Sequence, residues 1–148
     1  MKTHVTKPVD IKRVWYLLDA SSRPLGRVST AAAKLLLGKD KVNYSHHIDT
    51  GDFVIITNCD KLVVTGNKLS GKQYFRHSGF PGGLHNRSLE QAIAKDPTEV
   101  MTKAIRGMLP VNKLRPGRMA RLKVYAGGQH QHQAQNPTVV TLDKKGKQ

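Results

Sequence analysis

Three groups of side chains in this chain have types and spacings that chemistry could use. The first is Gly66-Asn67-Lys68-Leu69-Ser70-Gly71-Lys72, which has the glycine and lysine spacing of a phosphate-binding loop and follows a strand-like run. In such a loop, backbone N–H groups and the lysine hold phosphate, a following Ser or Thr reaches magnesium, and a helix N-terminus faces the anion. Here Gln73 takes the Ser/Thr position, and Tyr74-Phe75-Arg76-His77-Ser78-Gly79-Phe80-Pro81 makes a poor helix. Nucleotide hydrolysis is therefore not expected, although a basic glycine loop holds RNA phosphate by the same backbone donors and charge. The second group, Asp49-Thr50-Gly51, is the tripeptide of aspartic proteases. That chemistry needs two carboxylates sharing a proton. This chain has one copy, preceded by His46-His47-Ile48 and not by an apolar strand, so a loop turn is expected. The third is a set of seven histidines, clustered at His46-His47 and His130-Gln131-His132. Neither cluster has carboxylates or Cys at ligand spacing, and Cys59 alone completes no set, so no metal and no other cofactor is expected. A single cysteine also excludes an internal disulfide and fits a reducing compartment.

Charge points elsewhere. The 148 residues carry 25 Lys and Arg against 10 Asp and Glu, a net charge of +15. From Met101 to Gln148 the only acid is Asp143. Self-repulsion of this size works against the compact state, and a polyanionic partner relieves it; a phosphate backbone is the commonest one. With 38% hydrophobic residues the chain has enough for one core, and its length fits a single domain over 1–148 with polar terminal arms at 1–13 and 138–148. An aromatic content of 5% argues against broad base-stacking platforms as the main device. Met1 to Asp10 contain no apolar stretch resembling a secretory signal, and no window approaches the roughly 20 apolar residues of a membrane span, so the cytoplasm is the default, an organelle matrix after removal of a presequence is the alternative, and no membrane partner is expected.

These residues need elements to hold them. Trp15–Asp19 reads as a buried strand, and Pro24 opens a helix that runs to about Leu37 and stops at Gly38. Leu25, Val28, Ala32, Leu35 and Leu36 share one face of that helix; Arg23, Arg27, Thr30 and Lys34 share the other, with no acid among them. Phe53–Asn58 and Leu62–Thr65 read as strands, and residues 66–87 as a long loop or hairpin. Ser88 with Gln91 forms a capping-box pattern. Asp96, Pro97 and Glu99 start a helix whose stripe is Val100, Met101, Ala104, Ile105, Met108 and Leu109, and Pro110 ends it. Leu122–Tyr125 is a last strand. Strands alternating with helices predict an α/β sandwich with a partly parallel sheet.

Three surfaces then stand out as phosphate contacts: the basic helix face, the segment Lys72–Gly83, and the stretch Met108–Lys123. In the second, Arg76 offers a planar fork to phosphate while an aromatic neighbour stacks on a base or ribose. In the third, Leu114, Met119 and Leu122 are expected to pin the chain while its charges, Arg118 and Arg121 among them, point outward.

At these residues the chain resembles the bacterial-type large-subunit ribosomal proteins of the L-thirteen family, over nearly its whole length. The resemblance rests on Trp15-Tyr16, Asp19-Ala20, Leu25-Gly26-Arg27 and Gly38-Lys39, then Asp49, Gly51-Asp52, Asn58, Thr65-Gly66 and Lys68. It continues through Tyr74, His77-Ser78-Gly79, Pro81-Gly82-Gly83 and Gly107-Met108-Leu109-Pro110, and closes with Leu122–Gly127, His130, His132, Ala134-Gln135 and Pro137. Two features depart from the pattern: Leu114–Arg118 carries two additional residues, and Gln131 replaces a common proline. The resemblance implies a three-layer α/β/α sandwich around a small, mostly parallel four-stranded sheet with long basic loops. It also implies a structural constituent of the large ribosomal subunit, with no catalysis, that binds large-subunit rRNA, supports early subunit assembly, and has neighbouring ribosomal proteins and no second copy of itself as partners. The expected RNA contacts are Arg23, Arg27, Lys34, Lys39, Lys41, His46, Lys68, Lys72, Tyr74, Arg76, His77, Gly82, Gly83, Arg106, Lys113, Arg115, Arg118, Arg121, Lys123, His130, His132 and Gln135. An alternative with the same surface is a regulator that binds messenger RNA outside the ribosome.

Overall fold

The computed structural model describes residues 5–142. The expected polar tail from Asp143 onward lies outside the described residues, as do residues 1–4 of the N-terminal arm. Six strands and five α-helices are described: β1 (Trp15–Asp19), α1 (Leu25–Leu37), β2 (Phe53–Thr57), α2 (Lys68–Gly71), β3 (Gln73–His77), β4 (Leu84–Ser88), α3 (Leu89–Lys95), α4 (Pro97–Met108), α5 (Arg115–Ala120), β5 (Leu122–Val124) and β6 (Thr138–Val139). The main sheet is parallel throughout, in the order β5-β2-β1-β6. The α/β class expected from the sequence is the class observed; β3 and β4 form a separate antiparallel hairpin.

Parallel neighbours need a crossover, and helices supply the first two. α1 joins β1 to β2, which pair in register from Trp15↔Phe53 to Asp19↔Thr57. α3, α4 and α5 lie on the excursion from β2 to β5, with α5 directly before β5. Leu18, Val54, Ile56 and Leu122 on the sheet meet Val28, Ala32 and Leu36 of α1 and Val100, Met101 and Ile105 of α4 in one core. All five apolar positions expected on the inner face of α1 are buried. On α4, Met108 departs from the expected stripe and is 42% exposed. Residues of opposite parity, Trp15, Leu17, Phe53 and Ile55, line the other sheet face. The return from β5 to β6 covers part of it: His132 packs 4.9 Å from the Trp15 ring, which is itself stacked on Phe53 at 4.2 Å.

The helix boundaries follow local chemistry. Gly38 closes α1 in the left-handed conformation at φ 72°, its N–H donating to the Lys34 and Leu35 carbonyls. Ser88 and Gln91 form the complete reciprocal capping box. The Asp96 carboxylate accepts from Thr98 N and Glu99 N, with Pro97 in the first turn of α4.

Two expectations need correction. Leu62–Thr65 is not a strand; its single ladder contact is an isolated bridge between Val63 and Pro24, where the Val63 carbonyl accepts from Leu25 N. Leu62 and Val64 meet the core as apolar anchors of an irregular segment. Conversely, Thr138–Val139, assigned to a polar arm, is the edge strand β6 beside β1, and Val140 N donates to the Leu17 carbonyl. Two residues are too few to show a strand period. The N-terminal arm is also anchored: Thr6 is buried and its hydroxyl donates to the Asn43 carbonyl.

Candidate nucleic-acid interface

The basic residues divide into those that hold the fold and those that face solvent. Arg118 and Arg121 belong to the first class, which corrects the expectation that they point outward: they are 1% and 6% exposed. Arg121 grips Asp49 with both terminal nitrogens, Nη1 on Oδ2 and Nη2 on Oδ1 at 2.7 Å. Its remaining donors reach the carbonyls of Leu36, Asp52 and Gly117, so all five are used. Arg118 Nε lies 3.5 Å from Asp49 Oδ1, a charge contact and not a hydrogen bond, and its Nε and Nη1 have no hydrogen-bond partner. The acid that neutralises this basic stretch comes from a segment 72 residues away. Local charge counting could not find it. Burial pushes the Asp49 carboxyl up, but the hydrogen bonds and charge of Arg121 outweigh it and hold the group below its ordinary value of 3.8. Gly51 is packed so closely on this cluster that a Cβ there would overlap the Leu36 carbonyl. The protease-like tripeptide is thus a structural lock.

Lys41 is likewise committed. Its Nζ donates to Asp52 Oδ1 at 2.6 Å, the Lys12 carbonyl at 2.8 Å and the Thr50 carbonyl at 3.0 Å, which accounts for all three ammonium protons. Arg115 donates to the Leu109 and Pro110 carbonyls at the end of α4, where a cation also suits the helix dipole. Leu114–Arg118 spans the N-cap and first turn of α5. Arg23 donates from Nε to the Leu142 carbonyl. Lys34 is half-buried and paired with Asp40, an acid just beyond the helix end, which corrects the reading of an unpaired stripe.

The second class is Arg27, Lys39, His46, Lys68, Lys72, Arg76, His77, Arg106 and Lys113, all exposed, and the neutral Gln135 is exposed as well. Arg27 and Arg106 lie on the outer faces of α1 and α4. Lys39, His46 and Lys113 sit in loops, with the His46 ring 5.1 Å from Tyr44. Lys123 is half-buried on the second sheet face, in register with Ile55. His132 packs against Trp15 and Tyr125, and His130 Nδ1 accepts from His132 N. These two histidines order the return segment.

The hairpin gathers the rest. Lys68–Gly71 is a single helical turn, and Lys72 runs directly into β3, so no helix N-terminus follows the phosphate-loop pattern. Register places Tyr74 opposite Arg87 and Arg76 opposite His85 on one face. Phe75, His77, Leu84 and Asn86 take the other face. At the turn, Gly82 has φ 71°, and Gly83 accepts from Ser78 N and donates to the Phe80 carbonyl. The His77 Nδ1 accepts from Gly79 N, which puts the proton of the neutral ring on Nε2. Lys72 and Lys103 both hold their ammonium groups close to the Tyr74 ring, at 5.2 and 5.4 Å.

Arg87, Lys95 and Lys103 join this surface and are absent from the residues expected from sequence. Strand alternation would have found Arg87 once the hairpin register was known. Lys95 and Lys103 needed the docking of β3 and β4 against α3 and α4.

The chain is also similar to known proteins. The family model described as Ribosomal protein L13 matches residues 13–131. A protein of Kocuria rhizophila is 50% identical over 137 residues, covering 93% of this chain and 93% of its own length. One from Frankia casuarinae is 51% identical over 138 residues, covering 93% of this chain and 94% of its own. A Vibrio atlanticus protein is 49% identical over 142 residues, covering 96% of this chain and all of its own length. Each of the three is named Large ribosomal subunit protein uL13. The chain belongs to the ribosomal protein L13 family, a family of structural ribosomal proteins and not of enzymes.

Proposed function

We propose that this protein is a constituent of the large ribosomal subunit that binds large-subunit rRNA through its solvent-facing cations and supports early subunit assembly in the cytoplasm, beside neighbouring ribosomal proteins. The observation that carries this reading is the concentration of exposed cations around the hairpin and α4. Exposed Lys68, Lys72, Arg76, Arg87, Lys95 and Lys103 line this region, Arg106 is exposed on α4, and Glu99 is the acid paired among them. Residues 73–87 hold no acid at all. Such a surface neutralises phosphates and reads RNA by shape more than by base identity. The buried Arg118–Asp49–Arg121 cluster, Lys41 and Arg115 act indirectly, by holding the loops that carry the exposed residues.

Binding of the purified protein to large-subunit rRNA tests the reading. Replacing Lys68, Lys72 and Arg106 together by Glu is expected to weaken binding by about a hundredfold or more, with thermal unfolding unchanged because all three are exposed. Unaltered affinity would remove this surface from the function.

A further inference from the structure

We propose that the cleft between the β3–β4 hairpin and α4 takes a single-stranded stretch of RNA; this rests on the rRNA-binding function above and specifies the form of RNA at this site. The cleft has a volume of about 650 Å³. Tyr74, Arg76 and Arg87 line its hairpin wall, and Lys95 and Lys103 its helical wall. The apolar side chains of Ala92 and Val100, 9% and 1% exposed, also line it. A second groove of about 410 Å³ also includes Lys103, and runs past Lys72 and Lys68 to the first turn of α1. Tyr74, in the wall of the first groove, is flanked by the Lys72 and Lys103 ammonium groups within cation–π range. Among the described residues lining either groove the only acid is Glu99, 2.7 Å from Lys103 Nζ.

Three features select a strand over a duplex. A cleft of this volume has the size of a small-molecule site; it admits individual nucleotides, whereas an A-form helix presents its phosphates on the outside of a thick cylinder. Cations beside apolar side chains suit a ligand that is anionic along its backbone and flat and apolar on its bases. A duplex hides those base faces in its stack, and a single strand displays them. Finally, two grooves sharing a lysine suit anions repeated along a line, where a lone nucleotide would use only one groove.

The test compares a single-stranded oligouridylate with an RNA duplex of equal length, alongside folded large-subunit rRNA, for the full chain and two double variants. Arg76→Glu/Arg87→Glu alters the cleft. Lys7→Glu/Lys61→Glu makes the same charge change at exposed sites outside both grooves and outside the expected contacts. The expected result is tighter binding of the single strand than of the duplex, lost by about tenfold or more in the cleft variant and by much less in the control. Single-strand binding no tighter than duplex binding, or equal loss in both variants, overturns the cleft proposal while rRNA binding still stands. Failure to bind any of the three RNAs overturns the rRNA-binding function as well.

Discussion

The carboxylate of Asp49 accepts two hydrogen bonds from Arg121 and lies beside Arg118. Removing one partner of a buried ionic cluster leaves uncompensated charge, which typically costs about 3–5 kcal/mol. Asp49→Ala is expected to lower stability by that order, read by urea unfolding at neutral pH. Arg121→Ala should do likewise and change RNA affinity only through the loss of fold; a stable Arg121→Ala protein with weakened RNA binding would contradict its placement. The sign of the pH effect follows from the depressed carboxyl. A group whose folded pKa lies below 3.8 contributes stability above that value and loses it as the pH falls through the folded pKa. Asp19 adds to the same limb: burial raises it, but bonds from Asn58 and Ser21 outweigh that and lower it. Melting temperature should therefore drop below about pH 4, and Asp49→Asn should flatten that limb. Cys59 takes no part, since burial pushes its thiol up to about 12. At this scale the sequence showed which residues are cationic but not which are spent. Arg118, Arg121 and Lys41 look like any other bases until the fold brings up Asp49 and Asp52.

Elements were the most legible part. α1 carries its stop signal at Gly38 and its apolar face at helical spacing, and both are where the pattern put them. The starts of α3 and α4 were readable because capping is local chemistry, made within three residues of the cap. Ser88→Ala should cost about 1 kcal/mol through loss of the capping box, measurable by thermal unfolding. Leu36→Ala in the core should cost about 2–5 kcal/mol. What could not be read was β6, whose identity depends on β1 supplying its hydrogen bonds, and the failure of Leu62–Thr65 to join the sheet. Both are decided by tertiary partners.

Across the whole molecule, a net charge of +15 survives on the folded scaffold because the core is built from apolar side chains and the buried Arg118 and Arg121 are paired with the distant Asp49. The surplus is what remains on the surface. The candidate interface was legible in outline, through the hairpin segment and the lack of acids, but its second wall was not. Lys95 and Lys103 enter only when α3 and α4 pack against β3 and β4. The most direct measurement is the affinity for large-subunit rRNA across a salt series. With about eight cations on phosphate, the logarithm of the binding constant is expected to fall against the logarithm of salt with a slope of about −6 to −7. A flat response would contradict the claim that these cations exist to neutralise RNA.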